Sequence, residues 1–440
     1  MKICVIGAGY TGLSAAHELT KLGHSVSVIE ADEKLGGLAG YFKIGHEYIE
    51  KYYHHWFTSD LYILDLIKEL GLDHLIESQN SRTGVYFNNN FYKLSRPVDL
   101  LTFTPLSPIN RLRLGFLILR VRMIKDWKPL ENLTAVEWLK ALAGDRVFEV
   151  VWLPLLKGKF GDDYRSVSAV WFWNKLKLRG GSRTKTGSEQ LLYLKGGFKV
   201  LQERIENMLS SNRGKIVTGS AVKKINALSN GNLAITTADG QQLRCDKALF
   251  TGSSHQLAKI LENSDPSNSH KGAQSEYINK LRNIKYLGNV CIVLELSRSL
   301  SDLYWLSVND PSFPFVAVIE HTNFVSKERY NNTHIVYLSR YVSNSDPMYK
   351  MNDKGLRSVV IACLSEMFFD FSDEHIINMS VWRAKYSQPL VTPNFSKAIP
   401  PFRTPTDNLY FASMCQIYPE DRGTNYAVRE GQQAAKLMFR

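Results

Sequence analysis

Cysteine is scarce and scattered in this chain of 440 residues. Cys4, Cys245, Cys291, Cys363 and Cys415 form no CxxC pair and have no histidine at metal-ligand spacing. A disulfide framework and structural zinc are excluded as organising features, and no metal site is expected. Long apolar runs are also missing: Leu114 to Leu119 is the best stretch and is far too short to span a bilayer. No cationic leader with an apolar core precedes the first motif, which points to a cytoplasmic location. Internal repeats, low-complexity tracts and recognisable DNA- or RNA-binding modules are absent, so nucleic acid is not an expected partner.

What is present is an ordinary globular balance, 44% apolar and 22% charged, which rules out a disordered or fibrous chain. Aromatics reach 11%, enough for a large stacking or apolar cavity as well as a bulky core. The net charge is +12, and two stretches carry nearly all of it. Arg111 to Lys128 holds six cations against Asp126, and Lys157 to Lys185 holds eight against Asp162 and Asp163. An acidic or phosphorylated substrate, an anionic membrane surface and a plain solvated face are the physical readings. Within the second stretch, Arg183 and Lys185 are candidates for a substrate phosphate.

The first thirty residues form a βαβ unit. An apolar strand from Lys2 to Ile6 enters Gly7-Ala8-Gly9-Tyr10-Thr11-Gly12, helical spacing follows through Leu22, and a second strand ends at Glu30. Gly7 permits the tight turn, Gly9 lets backbone approach a pyrophosphate, Gly12 allows close packing, and the helix N-terminus offers free N–H donors. Glu30 stands where an acid accepts ribose hydroxyls, so the unit predicts dinucleotide binding. Further along, Asn88-Asn89-Asn90 marks a hairpin, and strand-like runs near 216–225, 233–237 and 248–250 predict a small sheet. Later runs from Val290 to Tyr386 predict an antiparallel-rich sheet, and Tyr426 to Leu437 predicts a closing helix. The Ser- and Asn-rich stretch 263–274 is the most linker-like segment.

A second glycine cluster, Gly36-Gly37-Leu38-Ala39, follows Glu30 and Ala31. With it the chain resembles the FAD-dependent superfamily of amine oxidases, protoporphyrinogen oxidases, phytoene desaturases and UDP-galactopyranose mutase. Tyr193-Leu194-Lys195-Gly196-Gly197-Phe198, Ser220-Ala221-Val222 and the closing Asn425-Tyr426-Ala427-Val428-Arg429-Glu430-Gly431 match that family's later motifs. The strings KGKFGDDYRSVSAVW, VIEHTNF and YPEDRGTNYAVREG are similar to protoporphyrinogen-oxidase-like proteins encoded beside bacterial surface-polysaccharide genes.

The resemblance implies an α/β fold: a discontinuous Rossmann-type FAD-binding domain (1–80, 195–270, 405–440) with an inserted α+β substrate domain (81–194, 271–404). It implies non-covalent FAD, held by residues 7–12, Glu30, Ala31, Gly36, Gly37, Leu38, Ala39, Val222, Thr424, Asn425, Tyr426 and Ala427. Leu38 stands where the family commonly has an arginine, and Ser413-Met414 replaces its Gly-Asp, so Asp421 or Glu420 is the expected substitute acid.

Candidates for chemistry are His54 and His55 in Glu50-Lys51-Tyr52-Tyr53-His54-His55-Trp56, Glu320, and Arg422 ahead of the closing helix. The implied function is hydride transfer between FAD and an organic substrate, a surface-glycan precursor or polyprenyl-linked intermediate. A redox-neutral sugar-nucleotide mutase and a non-catalytic FAD-stabilised binding protein stay open, as does the oligomeric state. Leu112, Phe116, Leu119, Met123 and Trp127 recur at helical spacing among arginines, which suits peripheral contact with an anionic membrane. The preferred reading packs this stripe inward and turns the cations to water.

Overall fold

The computed structural model describes residues 1–94, 97–181, 189–212, 214–264 and 271–440. Arg183, Lys185 and residues 265–270 of the linker-like stretch lie outside the described residues, whereas 271–274 open the helix Lys271–Asn283.

Lys2–Ile6 and Ser25–Ile29 are apolar runs buried on both faces, which is what a parallel sheet requires. They form the middle of a five-stranded parallel sheet in the order Lys215–Val217, Ser25–Ile29, Lys2–Ile6, Lys247–Phe250, Leu409–Phe411. The sheet thus draws on the beginning, middle and end of the chain. The helices Tyr10–Lys21 and Thr424–Leu437 pack closely together because Gly431 has no side chain: a Cβ there would lie 2.1 Å from Ser14 Oγ and 2.2 Å from the Thr11 carbonyl.

The strands expected to make one small sheet divide between two. Gly219, at φ +65, reverses the chain and donates to the Asp32 carbonyl at 2.9 Å. Lys215–Val217 is thereby left beside Ser25–Ile29, whereas Val222–Ala227, Leu233–Thr237 and Gln242–Cys245 form a separate antiparallel sheet.

A seven-stranded, mostly antiparallel sheet builds the other half of the molecule, in the order Ile376–Pro389, Tyr286–Leu296, His334–Val342, Ala317–Glu320, Trp305–Val308, Thr83–Phe87, Asn90–Lys93. Its last two strands are the Asn-marked hairpin. Asn88 and Asn89 both take positive φ, 50° and 57°, the turn geometry that matches strand twist. Residues 108–181 form a helical region. There the chain runs through Asp145–Val147, a wider π turn over Phe148–Trp152, and Leu153–Phe160. Pro154 lacks the N–H that a regular helix would use at that point.

The apolar stripe is turned the opposite way from the preferred sequence reading. In the helix Pro108–Met123 the buried side chains are Leu114, Leu117 and Val121, facing the helices Ala135–Ala143 and Ala169–Gly181. Leu112, Phe116, Leu119 and Met123 point to solvent. Trp127 lies beyond the helix and packs edge-on against Tyr418 at 5.0 Å. The helix is apolar on two sides, so spacing alone did not say which side the core would take.

Candidate active site

The glycine loop is a cradle made of backbone. Gly7 needs its φ of +106, and a Cβ on Gly12 would meet the Gly7 carbonyl at 1.9 Å. Gly9 differs, because a Cβ there would have nothing within 4 Å, so its backbone faces open space. Gly9 also ends the helix without a side-chain cap, leaving the first-turn N–H groups of Tyr10, Thr11 and Gly12 as free donors. Gly36 bridges in parallel to Gly9 and donates to the Ala8 carbonyl at 2.8 Å, which lays the turn Gly37-Leu38-Ala39 along the first loop. Gln202 fastens that turn by donating to the Ala39 carbonyl at 3.0 Å.

Glu30 accepts from the N–H groups of Ala8 at 2.5 Å and Asp32 at 2.9 Å. Burial raises its carboxyl above the usual value, with the backbone donors working against that rise. Beside it runs the chain into Val222: Ser220 donates to the Glu30 carbonyl at 2.8 Å. Ala31 is exposed next to Glu30. A cradle with this open Gly9 face, uncapped N–H groups and an acid at the end of the second strand fits a dinucleotide.

A second part of the site is made of side chains. Leu38, Tyr52, Tyr53, His54, Asn289, Ser339, Tyr341, Ser387 and Arg422 line one cavity. His54 Nδ1 lies 2.6 Å from the Tyr52 carbonyl and must donate to it, and burial lowers the imidazole to about 4. The ring is therefore neutral near pH 7 with Nε2 as an acceptor. Asn289, on Tyr286–Leu296, donates to Ser339 Oγ at 3.0 Å, and its buried Oδ1 has no partner. Arg422 donates to the Tyr341 hydroxyl at 2.7 Å and to Gln388 Oε1 at 3.3 Å, both neutral groups.

Behind Arg422, Asp421 is buried in a cluster of its own. It accepts from Trp171 Nε1 at 2.8 Å and Gln388 Nε2 at 3.0 Å, with Lys175 Nζ at 2.5 Å and Lys159 Nζ at 3.6 Å. Burial opposes its charge, but Lys175, Lys159 and Arg422 hold the carboxyl well below the usual range. Three cations thus surround one carboxylate.

Residues 10–438 match the family model for flavin-containing amine oxidoreductases. The chain belongs to that family. It is 26% identical to the flavin-containing amine oxidase A of Bos taurus over 258 residues, 55% of this chain and 48% of that one. The chain spans about half the length of the curated relatives it matches first. Similar solved structures include a proposed protoporphyrinogen oxidase of Exiguobacterium sp. 255-15 (TM-score 0.76, 16% identity, covering 99% of this chain and 98% of that one). Reduced UDP-galactopyranose mutase is another, with TM-score 0.76 and 16% identity over 99% and 94% of the chains. At such identities the likeness concerns the fold.

FAD is the cofactor that membership implies, and the cradle has the donors and the space that fit it. The closing helix Thr424–Leu437 begins at Gly423 with no side-chain cap. Thr424 Oγ1 accepts from Trp56 Nε1 at 2.8 Å, and Asn425 Oδ1 accepts from the Ile63 N–H at 3.1 Å. Tyr426 is half-buried under the Arg429 guanidinium, and Ala427 is half-buried behind it. Trp56 stacks on Phe198 at 4.1 Å and 8°. Cys415 is fully buried and its thiol is pushed up to about 11, which suits an inert core residue and non-covalent FAD.

Four sequence candidates lie elsewhere. Glu320 caps a turn: it accepts from Ser299 Oγ at 2.6 Å and from the N–H groups of Leu300 and Ser301, both at 3.1 Å, so it is a turn cap and not a cavity group. His55 is held at 2.8 Å by the Tyr304 hydroxyl among Phe57 and Trp305, away from the cavity lining. Neither Asp421 nor Glu420 is free to face the cofactor linker, since Asp421 is spent on the cation cluster and Glu420 on a bidentate pair with Arg429.

Sequence reasoning missed Asn289, Ser339, Ser387, Lys159, Lys175 and Glu50. Glu50 Oε1 accepts from the Phe198 N–H and Oε2 from the Tyr193 hydroxyl, each at 2.7 Å, and burial pushes its carboxyl up to about 7. Lys159 and Trp171 sit within the string KGKFGDDYRSVSAVW, the one signal that could have flagged them. Both lysines belong to the basic stretch Lys157 to Lys185, for which a solvated face is one of three readings of the charge.

Proposed function

We propose that this chain is an FAD-dependent oxidoreductase acting on a hydroxylated or anionic organic substrate, a precursor of a surface glycan. When bound, FAD supplies the two-electron hydride chemistry. The observation that supports this substrate class is Arg422, which lines the cavity with only neutral hydrogen-bond partners and has Lys159 and Lys175 behind it. A protonated amine entering there meets like charge, whereas a phosphate, carboxylate or polyol finds donors. Asn289 Oδ1 is placed to accept from a substrate hydroxyl, and neutral His54 can take a proton at Nε2. Tyr52 and Tyr53, kept protonated by burial, close the cavity against water.

The test is anaerobic incubation of the yellow protein with soluble sugar nucleotides, lipid-linked sugars and simple amines, reading the flavin absorbance. Bleaching by the first or second class, and not by amines, is expected; bleaching by amines alone overturns the proposal. The same cationic wall also favours a redox-neutral mutase acting on a nucleotide diphosphate sugar. That reading requires turnover only after chemical reduction of the flavin, with no net change in absorbance.

A further inference from the structure

We propose that the outward face of the helix Pro108–Met123 is a docking surface for an anionic lipid bilayer. At about 100° per residue, Ile109, Leu112, Phe116, Leu119 and Met123 fall within one narrow arc of this helix. All five are exposed, by 59%, 67%, 57%, 59% and 78% respectively. The buried arc of Leu114, Leu117 and Val121 lies on the other side, so the core is already supplied and the outer stripe is surplus to folding.

A surface helix of a soluble protein normally alternates apolar and polar faces. Here the outer arc is apolar and its flanks are cationic. Arg113 and Arg120 fall on one side of it and Arg122 on the other, with Lys125 just beyond the C-terminus, all of them exposed. The helix contains no Asp or Glu. Arg111 extends the patch by donating to the carbonyls of Leu101, Phe103 and Leu106, which fastens the preceding turn Pro97–Thr102 to the helix. In that turn Val98 and Leu101 are exposed as well, by 57% and 66%.

An apolar wedge rimmed by arginines is complementary to an interface with acyl chains below and phosphates at headgroup level. A second protein surface would match the apolar arc, but it would also need acids on both rims. The contact is peripheral, because among the described residues no helix is long and apolar enough to cross a membrane. It does not depend on which substrate the cavity takes.

The experiment is vesicle flotation of the FAD-loaded protein. Phosphatidylcholine vesicles are used with or without phosphatidylglycerol at about 0.1 M salt, where charges act over roughly 10 Å. Expected are co-flotation with the anionic vesicles, a bound fraction that drops several-fold at high salt, and at least a tenfold weaker partition for Leu112→Asp/Phe116→Asp. That variant should keep its flavin spectrum, since both side chains face solvent. Arg120→Gln/Arg122→Gln should weaken binding at low salt and match the parent at high salt. Absence of flotation with either vesicle, or equal flotation of the double aspartate variant, overturns the proposal. So does a dimer in solution that Leu112→Asp/Phe116→Asp dissociates, because the stripe would then be covered by a second copy.

Discussion

The FAD cradle and the cavity wall adjoin but are built on different terms. The cradle uses backbone: a positive φ at Gly7, a bare Gly9, a Gly36 amide laid on the Ala8 carbonyl, all supplied by residues close together in sequence. The wall uses side chains on strands and loops far apart, with Asn289 against Ser339, Arg422 against Tyr341 and Gln388, and Asp421 against Lys159 and Lys175. Backbone sites constrain residue type directly, because only glycine survives certain φ values and contacts. Side-chain sites constrain type only once the fold has chosen neighbours.

The largest expected effect tests the wall. Asp421→Ala leaves Lys159, Lys175 and Arg422 without their carboxylate in a partly dry cluster and should cost about 4 kcal/mol of stability, read by denaturant unfolding. A loss near zero would mean the cluster is well hydrated and the wall is soft.

On the cradle side, Gly12→Ala should cost about 3 kcal/mol and most of the yellow colour, because its methyl meets the Gly7 carbonyl. Gly9→Ala is the contrasting variant. With nothing within 4 Å of its Cβ it should fold as the parent does and lose only FAD affinity. If both behave alike, the cradle is not held by backbone geometry.

Glu50 holds the Tyr193 hydroxyl and the Phe198 N–H together in the interior. Its folded carboxyl sits at about 7, against 4.5 unperturbed. Between those values the folded chain holds more protons than the unfolded one, so this group makes stability fall as pH rises through the window, by about 3 kcal/mol at most. The buried imidazoles His54 and His321, lowered to about 4 and about 3, act in the opposite sense below 6.5. The difference between parent and Glu50→Gln unfolding curves isolates Glu50, and it should vanish at pH 4 and grow towards pH 8.

Smaller still, Glu30→Ala should weaken FAD by about 2 kcal/mol, roughly thirtyfold, by removing charge-assisted hydrogen bonds. An unchanged FAD dissociation constant would sink the ribose assignment. Glu320→Gln should cost about 1 kcal/mol in the turn it caps and leave kcat/KM unaltered. A kinetic effect would return Glu320 to the wall.

How much could be read in advance follows the same division. The glycine spacing, the acid after the second strand, the Asn88-Asn89 turn and the closing helix were legible, because each depends on φ preferences and periodicity within a few residues. Glu320 was misread as a cavity group, since a carboxylate beside an apolar strand caps a turn or faces a cavity equally well until its partners are known. Arg183 and Lys185, named as phosphate candidates, lie outside the described residues.

By itself, the amino-acid sequence determined that this chain makes a βαβ dinucleotide cradle and belongs among the flavin-containing amine oxidoreductases. Tertiary structure alone decided that Lys159 and Lys175 turn inward to Asp421, that Asn289 and Arg422 share a cavity, and that the stripe from Ile109 to Met123 faces outward. The reason is physical. Backbone conformation is a short-range property of residue type, whereas the environment of a charge or an apolar face is set by whichever distant segment packs against it.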